Sequence, residues 1–228
     1  MTARPALSRL AQTIGEPTRL RMLGLLMEGR ALVAKELAFG AGVEPATATA
    51  HLRRLEEDGL LRSSRRGRNK VFRLASPAVA RVVETLMSIA APPELPESVL
   101  DPLRAARFCY DHLAGRLGIA LTDALVARRY LAARRDAFDI GPAGDAWLRR
   151  LAIDPARLHA TRRKLAPRCL DWSERRDHVA GAFGAAFARR FVELGWIRRR
   201  PDSRVVDVTA AGRRGIRDAL GVVLPSRP

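Results

Sequence analysis

Two short segments carry most of the side chains that could do chemistry in this 228-residue chain. The first is Cys109-Tyr110-Asp111-His112. The second is Cys169-Leu170-Asp171-Trp172-Ser173-Glu174, which runs on toward His178. Placed on one helical turn, Cys109 and His112 face the same way. If Cys169 and His178 approach them, the resulting thiolate and imidazole set suits zinc, another soft metal or haem iron. The same cysteines could instead act as a redox pair. They could also be small apolar core residues, with His112 and His178 bonded to Asp111 or Asp177. A further option needs no thiol: an Ala/Gly-rich helix over 180–188, bearing Phe183 and Phe187 beside Trp172, Tyr110 and Phe108, could line an apolar pocket for an organic effector. The effector, and with it any cofactor or metal, stays open among these. No Gly-rich phosphate loop, nucleophile elbow or Ser/His/Asp set accompanies them, which argues against an enzyme.

The second chemical signal is positive charge. Lys and Arg number 41 against 24 Asp and Glu, a formal net charge of +17. Such an excess favours a polyanionic partner, most commonly nucleic acid. Almost all of it is arginine, so part of the excess reflects composition rather than function. Residues 1–92 carry a net +7 and the remainder +10, so bulk charge does not say which part meets the polyanion. A local cluster is more informative. Arg65-Arg66-Gly67-Arg68-Asn69 reads as a turn between a strand over Leu60–Ser64 and an alternating strand over Lys70–Leu74. A hairpin tip so dense in arginine can neutralise backbone phosphates.

The elements that position these groups begin with a short helix over residues 7–14. A second helix opens at Glu16-Pro17-Thr18 and ends at Gly29, and a third spans about 33–39. After Gly40-Ala41-Gly42, a fourth helix runs from Val43 to about Asp58. Helix, glycine-bearing turn and helix make a helix-turn-helix, and the arginine hairpin follows as a wing. Another helix extends from Pro77 to about Ala90. A proline-rich connector, 92–100, separates residues 1–91 from a larger part, 101–228. There a helix is expected from Asp101 to about Leu117, another reaching Leu131, and a long one from Ser173 to Leu194. Phe138–Gly144 echoes Val206–Gly212 at an offset of 68 positions, each reading as strand, capping turn and helix. With the hairpin expected over 196–208, which carries Arg198, Arg199, Arg200 and Arg204, this part resembles a degenerate second winged helix. The expected class is mainly α with short β-hairpins.

Three stretches together resemble the ArsR/SmtB family of winged-helix repressors: Ile14-Gly15-Glu16-Pro17-Thr18-Arg19-Leu20, Thr47-Ala48-Thr49-Ala50-His51-Leu52, and Leu55-Glu56-Glu57-Asp58-Gly59-Leu60. The match covers about residues 5–90, so the chain is similar to an extended subgroup with an added C-terminal domain. By position, the resemblance assigns DNA contacts to Pro45, Ala46, Thr47, Thr49, Ala50 and His51, with Arg53 and Arg54 nearby. Arg65, Arg66, Arg68 and Lys70 would follow on the wing. With no Asn, Gln or Arg at the head of the helix, DNA shape and backbone contacts would carry much of the recognition. The resemblance also implies a homodimer on a palindromic operator, formed by the first and last helices, with Val79, Val82, Val83, Leu86 and Ile89 on one stripe. The family's metal positions are not equipped here. Val33 and Lys35 stand where thiolates would be, and Ser76, Ala78 and Ile89 where Asp and His would be.

The resulting expectation is a DNA-binding transcription regulator, acting as a repressor released by a ligand, metal or oxidation event in the C-terminal part. Cys109, His112, Cys169, His178 and Trp172 are its sensing candidates. A non-specific architectural DNA-binding protein is the alternative. Two well-separated cysteines make no disulfide framework, and neither a signal-peptide core nor an eighteen-residue apolar run is present. A cytoplasmic protein with no membrane partner is expected.

Overall fold

The computed structural model describes residues 6–90 and 94–225. It divides into two compact units, residues 1–101 and 102–228. Of the expected connector, Ala91, Pro92 and Pro93 lie outside the described residues. From Glu97 onward the connector is helical rather than extended, because α6 begins there.

The first unit comprises α1 (Leu7–Ile14), α2 (Pro17–Leu25) with a 3-10 turn at Leu26–Glu28, β1 (Leu32–Val33), α3 (Ala34–Ala41), α4 (Pro45–Glu57), β2 (Leu61–Arg66), β3 (Asn69–Leu74) and α5 (Pro77–Ile89). The strands form an antiparallel sheet in the order β1-β3-β2. Gly42 takes the left-handed conformation, φ +69, that the tight turn between α3 and α4 requires. Helical spacing places Ala48, Leu52 and Leu55 of α4 on one buried face. They join Met22, Leu23, Leu26, Leu37 and Val83 in the core.

Asp58, at the C-terminal cap of α4, ties this unit together. Its buried carboxylate accepts from Thr13 Oγ1 at 2.5 Å and from Arg9 Nε at 2.6 Å, while Arg54 Nε lies 3.1 Å away. Burial opposes the charge, but these donors outweigh it and hold the Asp58 pKa below the ordinary carboxylate value.

The second unit follows α6 (Glu97–Ala105), which crosses the boundary between the two. It contains β4 (Arg107–Cys109), β5 (His112–Ala114), α7 (Gly115–Ala127), β6 (Leu131–Ala133), β7 (Phe138–Ile140), α8 (Pro142–Arg150), α9 (Pro155–His159), β8 (Arg168–Leu170), β9 (Asp177–Val179), α10 (Gly181–Glu193), β10 (Ile197–Arg199), β11 (Val206–Val208) and α11 (Ala210–Leu220). The expected helix–hairpin–helix order is present over 181–220, and the same order precedes it at 115–150. Each copy is also preceded by a hairpin that replaces expected helix. The helix expected over 101–117 is therefore broken by a strand pair, and the one expected over 173–194 begins only at Gly181, after β9. Tyr110 at φ +63 and Arg175 at φ +54 make these turns. Neither residue type announces a left-handed backbone, so the break is silent in local propensity.

The two copies interlock. Arg107 bridges to Val205, beside the second hairpin of the later copy, and Ala137 bridges to Pro167, beside the first hairpin of that copy. One hydrophobic cluster fills the unit, with Trp147, Phe187, Phe191 and Trp196 in successive ring contacts.

Because Asp58 titrates lower in the folded chain, its contribution is complete above the unfolded carboxylate pKa, about 4, and is lost as pH falls below that. Asp58→Ala is expected to lower the stability of the first unit by about 2–3 kcal/mol at neutral pH and to flatten its acid limb. Urea unfolding at a series of pH values checks this.

Candidate nucleic-acid interface and a thiol–imidazole cluster

Burying one face of α4 leaves the other outward, and Pro45, Ala46, Thr47, Thr49, Ala50 and Arg53 are exposed there. The hydroxyl of Thr49 donates to Pro45 O at 2.8 Å, which leaves its methyl and oxygen lone pairs for contacts. Arg53 pairs with Glu57 one turn on, at 2.9 Å. Two other candidates point elsewhere. His51 Nδ1 sits 3.5 Å from Glu16 Oε2, and Arg54 turns to Thr13 and Asp58, so both work inside the unit rather than on its outer face.

The same packing explains the Glu16-Pro17-Thr18-Arg19 stretch. Glu16 caps α2 by accepting from the Thr18 and Arg19 N–H groups at 3.1 and 2.7 Å. Arg19 donates to the Thr13 and Gln12 carbonyls at the end of α1. The wing is longer than its sequence reading, with pairing out to Arg66↔Asn69. Gly67, at φ +61, opens the two-residue turn. Arg65, Arg66 and Arg68 are exposed, and Lys70 Nζ is held 2.8 Å from Glu56 Oε2.

In the second unit, Cys109↔His112 and Cys169↔His178 are opposite partners in the hairpins β4–β5 and β8–β9. Cys109 and His112 face the same way because they pair across a strand ladder, not because they share a helical turn. The hairpins meet so that the two Sγ atoms are 3.8 Å apart and the two Nε2 atoms 3.1 Å apart. All four candidate ligand atoms lie within 4.8 Å of one another. Both histidines are buried, and neither cysteine forms a disulfide. Carboxylates stand behind both rings. Asp111 Oδ1 is 3.3 Å from His112 Nδ1, and Asp171 Oδ2 is 3.8 Å from His178 Nδ1. Burial disfavours charge on His112, yet Cys109 and Asp111 outweigh it and raise the His112 pKa.

Asp171 is the hub behind this cluster. Its carboxylate accepts from Gly115 N at 2.6 Å, Ser173 N at 2.9 Å, Ser173 Oγ at 2.7 Å and Arg107 Nη2 at 3.0 Å. Burial alone would raise its pKa, but Arg107 and the backbone donors hold it far below the carboxylate range. Trp172 does not line the cluster. It stacks on the Arg107 guanidinium, with 4.7 Å from Cζ to the ring centroid. The expected apolar effector pocket is filled: Phe183 and Phe187 are core, and Tyr110 is exposed. An open hollow of about 520 Å³ beside the cluster is lined instead by Arg157, Arg163, Arg189 and Arg199 with Asp111 and Glu193.

A helix-turn-helix domain family matches residues 14–64. The HTH-type transcriptional regulator YdfF of Bacillus subtilis is 35% identical over 223 residues, 96% of this chain and 98% of its own length. The chain belongs to the helix-turn-helix transcriptional regulators. Its N-terminal unit is a winged helix-turn-helix by its own element order, α3 and α4 followed by the β2–β3 hairpin. Mycobacterium tuberculosis Rv0324 is 30% identical over 83 residues, 36% of each chain. The solved repressor BigR of Xylella fastidiosa is 28% identical, with a TM-score of 0.34 across 36% of this chain and 84% of that one. Among the described residues no helix is long and apolar enough to cross a membrane.

Sequence reasoning picked out all four cluster residues of this regulator but missed Arg107 and the hub role of Asp171. Arg107 itself carries no local signal, but the repeat that pairs the two hairpins does. His112-Leu113-Ala114-Gly115 with Gly118 recurs as His178-Val179-Ala180-Gly181 with Gly184, 66 positions on. Arg107→Ala leaves Asp171 buried without its cation, so it is expected to destabilise the C-terminal unit by about 3–5 kcal/mol. Arg107→Lys restores little of this, because the flat stack on Trp172 is lost. Thermal unfolding of the full chain measures both.

Proposed function

We propose that this regulator is a cytoplasmic homodimeric repressor. It holds a palindromic operator in duplex DNA through the outer face of α4 and the β2–β3 wing, and an event in the C-terminal unit releases it. The observation that carries the reading is the free outer face of α4, bearing Pro45, Ala46, Thr47, Thr49 and Ala50, beside a hairpin tip whose Arg65, Arg66 and Arg68 are exposed. A helix of this bareness fits a B-form major groove, and the methyls of Thr47, Thr49, Ala46 and Ala50 suit thymine methyls. The arginine tip supplies backbone charge, and Arg53 lies within reach of the same strand.

The dimer is supported by how α5 divides its apolar residues. Val79 and Val83 face the unit's own core, while Val82 and Ile89 remain exposed, together with Leu7 on α1. Exposed apolar residues on the first and last helices suit a self-complementary interface. Two-fold symmetry would then place the second α4 one helical turn along the duplex. Release requires an effector that favours the DNA-incompetent arrangement, a coupling of about 1–3 kcal/mol in typical regulators. The direction, repression rather than activation, follows the family resemblance.

Titrating a fluorescent promoter fragment at several salt concentrations tests the wing. Arg65→Ala, Arg66→Ala and Arg68→Ala combined should weaken binding to every duplex and reduce the log–log salt slope by about 3. An unchanged slope would remove the wing from the interface. Thr47→Ala with Thr49→Ala should change the footprint's sequence preference while largely keeping the salt slope. The same footprint from the double variant would mean that α4 does not read bases.

A further inference from the structure

We propose that Cys109, His112, Cys169 and His178 form a closed tetrahedral site for a zinc-like divalent ion, assembled from the two copies of the internal repeat. A Cys2His2 zinc site has Zn–S of about 2.3 Å and Zn–N of about 2.0–2.1 Å, which sets the S···S edge of the tetrahedron at about 3.8 Å and the N···N edge at about 3.3–3.4 Å. The corresponding separations here are 3.8 and 3.1 Å. The remaining S···N edges, at most 4.8 Å here, need contract by no more than about 1.3 Å to reach the ~3.5 Å of the tetrahedron.

The histidines give an independent reason. Asp111 Oδ1 lies 3.3 Å from His112 Nδ1, within hydrogen-bond reach, and Asp171 Oδ2 lies 3.8 Å from His178 Nδ1, beyond it. The two Nε2 atoms face each other at 3.1 Å inside a buried seam. That spacing suits two ligands of one cation, and Asp111 behind His112 is the carboxylate–histidine arrangement usual at zinc.

Charge selects the ion class. Asp171 is balanced by Arg107 at 3.0 Å and Asp111 by Arg163 at 2.8 Å. What remains is two thiols and two imidazoles. When both sulfurs bind, each releases its proton to solvent, and the two thiolates are neutralised by one divalent ion. A monovalent soft ion would leave a net negative charge in the seam. Four ligands also fill the tetrahedron and leave no position for substrate, which marks a structural or sensing centre rather than a catalytic one.

The fold makes room for the rings. A Cβ on Gly184 would lie 3.0 Å from His112 Cβ and 2.6 Å from Val179 O, and one on Gly118 would lie 3.8 Å from His178 Cβ and 2.5 Å from Leu113 O. Gly184 thus clears space for His112, and both glycines admit the backbone of the preceding strand. The site stands apart from the DNA-binding reading, since metal uptake is measured without DNA.

The test uses the full chain, reduced, stripped with a chelator and reloaded with zinc(II) or cobalt(II) alone. Elemental analysis is expected to give one zinc per chain. The cobalt form is expected to show the intense visible bands of a tetrahedral ion together with thiolate-to-cobalt charge transfer. Cys109→Ser and Cys169→Ser should each weaken the charge-transfer band and lower zinc affinity more than about 100-fold. Asp111→Asn, isosteric and at a partly exposed side chain, should lower affinity about tenfold. A reduced, folded wild-type chain that takes up neither ion overturns the proposal, as do Ser variants with an unchanged cobalt spectrum. A chain that binds no metal and instead loses two hydrogens by mass in air would assign the sulfurs to a redox pair, which also overturns it.

Discussion

Most of the C-terminal unit is arranged around the meeting of His112 and His178. Two imidazoles with carboxylates behind them face each other at 3.1 Å in a buried seam, and the two sulfurs complete the same small volume. Hairpins in place of continuous helices set each cysteine across the ladder from its histidine, Cys109 opposite His112 and Cys169 opposite His178. The juxtaposition needs Gly118 and Gly184, because any side chain there would strike the backbone that carries the histidine. It also needs Asp171 fully paired, since a carboxylate this deep is tolerated only with Arg107 and the Gly115 N–H committed to it.

The winged-helix unit solves a different problem with similar means. Its outer helix face must stay bare, so the polar groups that fix α4 are directed inward. Glu16, Arg19 and His51 lock the start of α2 against α1 and α4, while Thr13, Arg9 and Arg54 converge on Asp58 at the far end of α4. Residues that a family resemblance groups together thereby separate into two kinds of work. Some hold the recognition helix still, and others are left for a partner.

The first unit was legible from sequence because its elements follow helical period, proline starts and glycine stops, with boundaries shifting by only a few residues. The second was less so. Cys109 through Leu117 has helical spacing and no glycine before 115, yet Tyr110 enters the left-handed region and folds the segment back on itself. Ser173 to Val179 has the spacing of a helix start, whereas Asp171 gathers the Ser173 and Glu174 N–H groups into a turn. Tertiary demand overrode local propensity at both hairpins. The repeat at 66 positions, with its His, Ala and Gly pattern, carries the missing information, while the echo at 68 positions shows only the later half of each copy. Arg107 gave no local signal, because its role depends on a partner 64 residues away.

Zinc-edge X-ray absorption on the reduced full chain tests most directly that two copies of one hairpin converge on a single ion. The account predicts a first shell of two sulfurs at about 2.3 Å and two imidazole nitrogens at about 2.0–2.1 Å. A shell of oxygen and nitrogen alone, with no sulfur scattering, would contradict it.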